Sequence, residues 1–232
     1  MYPLLERVYN KIVWELRGRR IEKKYRERLK NNIRNEDFSI ISNNCWGGNI
    51  YGDLGIEYKT PTAGLFFNAP CFVKFLKNLK ENLNAEIVEV KYSRYDNVNK
   101  MREETKNYFP IGLINNDIEI DFLHYRTMEE AVEKWKRRSD RVNFDNLLIA
   151  MSDTDNCTSK EIEEFDELHF EKKIFFSSKP YPHLKSVLFF EEWEHRPTIL
   201  PADKAKYLIA QKIDLQQWIS GKDKRAIEYT SV

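Results

Sequence analysis

A group of amide and thiol side chains follows the first apolar run of the sequence. Residues 38–42 are typical of a buried strand, and the residues directly after it are Asn43, Asn44, Cys45, Trp46, Gly47 and Gly48. The two asparagine amides can donate hydrogen bonds to an oxyanion or to a sugar hydroxyl. A thiol just before a helix can be acidified by the helix N-terminus, which makes Cys45 a candidate nucleophile. We therefore predict the functional site at this turn, where the two glycines leave room for a ligand.

These side chains also have a structural interpretation. A buried cysteine is usually inert, and an asparagine after a strand often caps the turn that follows. The residue types alone leave both interpretations open for Asn43, Asn44 and Cys45.

A second group of candidates follows a later strand. His124 ends an alternating segment and is followed by Tyr125 and Arg126, so this strand end offers an imidazole, a phenol and a guanidinium. The imidazole can act as a general base. Asp153 and Asp155 follow another buried strand and can orient that base or bind a hydroxyl or a metal. A surface histidine and a solvated acidic turn are the alternatives, and the recognised spacings of metal ligands are absent.

Composition narrows the class of protein. The chain has 232 residues, enough for one domain. Its 38 basic and 37 acidic side chains nearly cancel, so the overall charge gives no support for a nucleic-acid partner. The three cysteines form no paired framework, which favours a reducing cytoplasm. No apolar run approaches the ~20 residues of a membrane span.

The elements that must position these side chains alternate between strand and helix. This alternation predicts a three-layer α/β/α fold with a mainly parallel, mixed sheet. The predicted sheet strands are residues 38–42, 87–90, 146–151 and 173–177. Residues 110–114 and 117–125 are predicted as a hairpin that turns at Asn115–Asn116. Residues 93–107 are predicted as a loop. Residues 178–232 are predicted as a C-terminal extension that contains a late strand at 185–190 and is otherwise helical.

Three helices are predicted around this sheet. One covers residues 69–83, one begins near Thr158, and one covers residues 127–140 with Thr127 as its cap. In the last of these, Trp135 is expected to pack inward and the arginines at 137, 138 and 141 to lie in water or ion pairs. An anion-binding patch is the alternative for those arginines.

The N-terminus is predicted as a separate unit, residues 1–32, before a single domain of residues 33–232. Residues 3–30 show apolar side chains at helical spacing, and basic residues dominate the second half of this segment. The helix can pack on the domain, bind a partner protein, or lie on anionic lipid as a peripheral anchor.

Further matches in a fixed order carry a family resemblance. They are Tyr51, Leu54–Gly55, Thr60–Pro61–Thr62, Gly64–Leu65–Phe66, Pro110–Ile111–Gly112, Asp117–Ile118, His124–Tyr125, Glu130–Ala131, Lys134–Trp135, Arg137–Arg138 and Asp145–Asn146–Leu147. With the turn at Cys45, this series over about residues 37–177 resembles the DUF1919 family, bacterial proteins often named for exopolysaccharide biosynthesis. The Asn-Cys pair is also similar to that of capsule proteins of the WcbI type, which are linked to coenzyme A.

The resemblance implies a function and, with it, a role for each candidate residue. The expected function is modification of a cell-surface polysaccharide or its lipid-linked precursor by acyl or related group transfer, with a coenzyme A thioester as a possible donor. Residues expected to be catalytic are Cys45, His124 and Asp153. Residues expected to bind substrate are Asn43, Asn44, Trp46, Gly47, Gly48, Tyr51, Tyr125 and Arg126.

A different class of function stays open. The chain can be a non-catalytic carbohydrate-binding or scaffold subunit of a polysaccharide assembly complex that docks through residues 1–30. Either function places the protein in the cytoplasm or peripherally at the inner membrane face. No nucleic-acid partner is expected.

Overall fold

A computed structural model describes residues 36–220, together with residues 23, 24, 26, 27, 29–31 and 33. Two sheets frame the described part. The parallel sheet has the order β1-β5-β6-β7, and its strands are β1 (Ser39–Ser42), β5 (Leu147–Ser152), β6 (Lys172–Ser177) and β7 (Val187–Phe189). The antiparallel sheet consists of β2 (Ile87–Val90), β3 (Ile111–Ile114) and β4 (Ile118–Asp121).

Helices connect these strands and follow them. They are α1 (Trp46–Leu54), α2 (Ala69–Lys77), α3 (Leu79–Asn84), α4 (Asp96–Thr105), α5 (Met128–Ser139), α6 (Ser159–Glu167), α7 (Ala202–Lys212) and α8 (Leu215–Ser220), with a short 3₁₀ turn at Glu191–Trp193. The described residues between 23 and 33 are also helical.

The parallel sheet separates two hydrophobic cores because successive strand residues point to opposite faces. Ile41 and Ile149 contribute to one core, which also contains side chains of α2, α5, α6 and the antiparallel sheet. Ile40 and Leu148 contribute to the other, which contains side chains of α1, α7 and α8. Helices therefore cover both faces, and the predicted three-layer fold with a mainly parallel sheet is confirmed.

The assignment of residues 87–90 to the parallel sheet was wrong. β2 pairs antiparallel with β3, with Ile87 opposite Ile114, and belongs to the second sheet. A parallel strand is buried on both faces and needs a nearly continuous apolar run. Glu89 interrupts this run, and Val88 is 50% exposed, so neither face of the segment is fully buried, which suits the edge strand that β2 forms.

Two helix predictions also change. The predicted loop at residues 93–107 contains α4, which buries only Val98 and so shows almost no apolar periodicity in the sequence. The predicted helix at residues 69–83 is interrupted at Asn78, which separates α2 from α3.

The predicted hairpin turn and helix cap are confirmed. Asn115 and Asn116 have φ of 52° and 55°, the positive values that asparagine tolerates in tight turns. The Thr127 side chain accepts a hydrogen bond from Glu130 N at the start of α5. The late strand and the C-terminal helices are present as β7, α7 and α8.

The predicted N-terminal helix falls mostly outside the described residues. Leu29, in the described part of this helix, and Ile33, beyond its predicted end, pack in the second core. Within the part of the chain that the structure describes, no helix is long and apolar enough to cross a membrane.

Candidate functional site

A cavity of about 500 Å³ lies beside α1, and two of the predicted catalytic residues line it. Cys45, the N-cap residue of α1, and Gly48 form part of one wall. Gly64, His124 and Tyr125 form part of another. The volume lies within the ~300–1,000 Å³ of small-molecule sites. The structure therefore brings the turn after β1 and the turn after β4 to one cavity.

The thiol of Cys45 is protonated at neutral pH. Burial raises the pKa of Cys45 to about 11, backbone hydrogen bonding at Gly64 opposes the rise in part, and the negative charges of Asp155 and Asp203 add to it. Sγ donates a hydrogen bond to the Leu65 carbonyl oxygen at 3.7 Å. The expected acidification by the helix N-terminus is thus outweighed by desolvation. A reaction at this sulfur requires a base to remove its proton.

Gly64 connects the thiol region to His124. Its carbonyl oxygen accepts a hydrogen bond from His124 N at 2.9 Å. Gly64 has φ of +83°, and a Cβ added to it would lie 3.2 Å from the Tyr125 ring and 3.5 Å from His124 Cβ. The side chain of His124 is exposed at the cavity wall, where it can reach both solvent and ligand.

Arg138 is held at the cavity wall by neutral partners. Nη1 of Arg138 donates to the Tyr125 hydroxyl at 2.6 Å and to the Ala63 carbonyl at 3.1 Å. The Tyr125 hydroxyl itself donates to Ala63 O at 2.7 Å. The guanidinium also lies over the ring of Tyr58, 4.6 Å from its centroid. The Tyr125 hydroxyl therefore helps to hold the Arg138 guanidinium in place. Burial raises the pKa of the Tyr125 phenol.

Positive charge predominates among the residues that line the cavity. Its basic side chains are Arg26, Lys134, Arg138 and Lys206, and its only acidic lining residue within the described chain is Asp53. The buried Asp53 carboxylate accepts from both Arg26 Nε, at 3.1 Å, and Lys206 Nζ, at 3.0 Å. Basic side chains outnumber acidic ones by four to one in the described lining, so the cavity favours an anionic ligand.

Comparison with known proteins identifies the family. The family model described as a domain of unknown function, DUF1919, matches residues 13–220 of the chain. The chain belongs to the DUF1919 family. It is also similar to an uncharacterised protein of Haemophilus influenzae strain Rd, with 34% identity over 166 residues that cover 72% of this chain and 74% of the relative. The family resemblance derived from the motifs is thereby confirmed.

The two asparagines that stand before the thiol of this DUF1919 protein have internal partners. Asn43 Oδ1 accepts from Ser152 N at 3.1 Å. Asn44 Nδ2 donates to Ser152 Oγ at 3.0 Å, and Asn44 Oδ1 accepts from Trp46 N at 3.0 Å, at the start of α1. These hydrogen bonds connect β1 to β5 and cap the turn that follows β1. Asn43 and Asn44 thus have the structural role that the sequence offered as the alternative to substrate binding. Neither lines the 500 Å³ cavity.

Three other predicted substrate-binding residues are also part of the core. Trp46 packs against Phe176, with ring centroids 5.0 Å apart. Tyr51 donates its hydroxyl hydrogen to Phe38 O at 3.1 Å. A Cβ on Gly47 would lie 2.8 Å from Ile40 Cγ2, so this glycine serves close helix-to-sheet packing.

Arg126 and Asp153 lie outside the cavity lining as well. Arg126 is exposed. The Asp153 carboxylate accepts from Ser178 N at 2.7 Å and from Ile199 N at 2.8 Å, so it joins the end of β6 to the segment before α7. The structure gives Asp153 this architectural role in place of the expected orientation of His124.

The favoured prediction for the arginines of α5 holds for two of them in this DUF1919 fold, and the third lies where the alternative, an anion-binding patch, would place it. Trp135 is buried as expected, and Arg137 and Arg141 form the expected ion pairs with Glu133 and Glu57 at 2.8 and 2.9 Å. Arg138 instead lines the cavity. The available signal was its spacing of four residues from Lys134, which places both cations on one face of α5.

Proposed function

We propose that this protein modifies a cell-surface polysaccharide or its lipid-linked precursor by transfer of an acyl or related group. The observation that supports it is the shared cavity of Cys45 and His124, which joins a candidate nucleophile to a candidate base. Cell-surface polysaccharide as the target comes from the names given to proteins that this sequence resembles. The donor that suits a cysteine nucleophile is an activated acyl thioester, such as that of coenzyme A.

The chemistry follows from a neutral thiol. In the first half of the reaction, His124 removes the thiol proton while Cys45 Sγ forms a bond to the carbonyl carbon of the donor. The donor thiolate leaves and takes the proton from His124. In the second half, a sugar hydroxyl attacks the acyl-cysteine carbonyl, His124 accepts the hydroxyl proton, and the sulfur of Cys45 leaves and is reprotonated by His124.

Asn49 replaces the predicted amides as a donor beside the sulfur. It lies four residues after Cys45 on α1, so the two side chains share one face of the helix, and both line the cavity. Its amide can donate to the oxygen of the transferred acyl group, where negative charge develops during attack.

The test is direct detection of the acylated sulfur. The purified protein is incubated with acetyl-coenzyme A, and intact mass and peptide mapping determine whether an acyl group is attached at Cys45. Cys45→Ser and His124→Ala should abolish thioester formation while retaining the native melting temperature. Cys157→Ser is the matched control, because Cys157 lies outside the cavity lining and should leave acylation unchanged.

A non-catalytic carbohydrate-binding or scaffold subunit is the second candidate, and the high pKa of Cys45 favours it. A scaffold should retain polysaccharide production in cells after both Cys45→Ser and His124→Ala, and lose it when residues 1–30 are removed. An acyltransferase should lose production with either substitution.

A further inference from the structure

We propose that the basic wall of the cavity, defined by Lys134, Arg138, Arg26 and Lys206, binds a phosphate or diphosphate group of the ligand. This inference rests on the proposed function only in assigning the phosphorylated ligand as a substrate of the Cys45 site. The ligand class is thereby narrowed to molecules that carry an esterified diphosphate.

Arg138 is the centre of this wall. Both of its hydrogen bonds leave from Nη1 and end on uncharged oxygens, those of Tyr125 and Ala63. No Asp or Glu among the described residues forms an ion pair with it. Within the part of the chain that the structure describes, its charge is therefore not neutralised by a carboxylate, and its other nitrogens make no hydrogen bond. A guanidinium already fixed by a tyrosine hydroxyl and an aromatic face is preorganised for bidentate binding of a phosphate.

Lys134 adds a second charge on the same wall. It lies one helical turn before Arg138 on α5, and its Nζ contacts Glu130 Oε1 at 2.6 Å at a partly exposed position. An ion pair at such a position is weak, so its ammonium remains able to contact an anion in the cavity.

Arg26 and Lys206 provide the other two basic side chains of this wall. Arg26 and Lys206 share the single carboxylate of Asp53. These ion pairs fix two long basic side chains at the cavity wall. Four basic residues and one acidic residue in the described part of the lining suit an anionic phosphate or diphosphate ester.

The charge is local, which separates this ligand from a nucleic acid. The whole chain has a formal net charge of +1, so its global field does not favour a nucleic acid, and the excess of basic residues at this cavity is a local feature. A cavity of about 500 Å³ has room for one small ligand.

The experiment measures binding of inorganic pyrophosphate by calorimetry, with Arg138→Gln and Lys134→Gln as the test variants. We expect each substitution to weaken pyrophosphate binding about tenfold, because each removes one charge-assisted hydrogen bond. Arg137→Gln and Lys136→Gln are the matched controls, because both residues are exposed on the same helix and neither lines the cavity. Lys134→Gln leaves the bonds of Arg138 to Tyr125 and Ala63 in place, so it tests the wall even if Arg138→Gln lowers stability.

Two organic ligands then distinguish the sources of the diphosphate. Coenzyme A binding tighter than pyrophosphate identifies a thioester donor, and a uridine diphosphate sugar binding tighter identifies a sugar nucleotide. Absence of pyrophosphate binding, or equal weakening by test and control variants, overturns the inference. Cys45→Ser separates the two proposals: it should retain pyrophosphate binding, so loss of acylation with intact binding concerns the nucleophile alone.

Discussion

The backbone amide of His124 donates a hydrogen bond to the carbonyl oxygen of Gly64, at 2.9 Å. The next residue, Leu65, accepts the hydrogen bond of the Cys45 thiol. The turn at Gly64 therefore lies between the candidate base and the candidate nucleophile, and the geometry of the cavity depends on its backbone.

Gly64→Ala should destabilise the protein more than Gly55→Ala. Both glycines have positive φ, +83° and +67°, so each alanine incurs backbone strain of about 1–3 kcal/mol. The new Cβ at Gly64 also crowds a neighbour, 3.2 Å from the Tyr125 ring, whereas at Gly55 no atom of the described residues lies within 4 Å. Urea unfolding of the two variants measures the difference. Equal losses would show that the turn adjusts to the extra carbon.

Gly48→Ala and Gly52→Ala should change stability in opposite directions, although both lie on α1. A Cβ on Gly48 would lie 2.9 Å from Ala63 Cβ and 3.0 Å from Ala63 Cα, so we expect a loss of about 1–3 kcal/mol. A Cβ on Gly52 meets only the Tyr58 hydroxyl, at 3.6 Å, so the gain in helix propensity of roughly 0.5–1 kcal/mol should dominate. Thermal unfolding of both variants tests this. A stable Gly48→Ala protein would contradict the close approach of α1 to Ala63.

Alkylation of Cys45 should continue to accelerate with pH well above neutrality. The thiolate is the reactive form, and the pKa of Cys45 is raised to about 11 by burial. An unperturbed cysteine peptide, whose thiol titrates near ~8.5, serves as the control and should level off first. The measurement is the iodoacetamide rate at Cys45 from peptide mass spectrometry. A rate that already levels off near neutrality would mean that the thiol is acidified and needs no base.

The stability of the Asp155→Asn variant, relative to that of the natural protein, should increase as pH rises from about 4 to 7. Burial raises the pKa of Asp155 to about 6, from an ordinary value of 3.8. The folded state therefore holds this proton more tightly than the unfolded state, and the stability gained from it at low pH is lost as pH rises through 6. We expect a relative change of about 1–3 kcal/mol.

Asparagine suits this position because Asp155 has φ of 59°, which asparagine tolerates. Urea midpoints at the two pH values, for the variant and the natural protein, measure the change. Asp145→Asn, the same substitution at an exposed position, is the control. A stability difference that does not vary with pH would contradict the raised pKa.

Local patterns in the sequence determined those features that depend on neighbouring residues. The cap of α5 at Thr127 and the turn at Asn115–Asn116 were predictable because each is decided within a few residues by hydrogen bonding or backbone preference. The three-layer fold was predictable because strand and helix alternate along the chain. The position of Cys45 next to α1 follows in the same way from the end of an apolar run and the glycines after it.

Only the tertiary structure decided which of several equivalent polar residues face the cavity. Arg137 and Arg138 are the same residue type on one helix, yet Arg137 pairs with Glu133 while Arg138 reaches Tyr125, because packing of Trp135 fixes the rotation of α5. Asn43 and Asn44 turned to Ser152 because β5 lies beside β1, a pairing between segments more than one hundred residues apart. Such choices depend on long-range contacts, and no local pattern of residue types contains them.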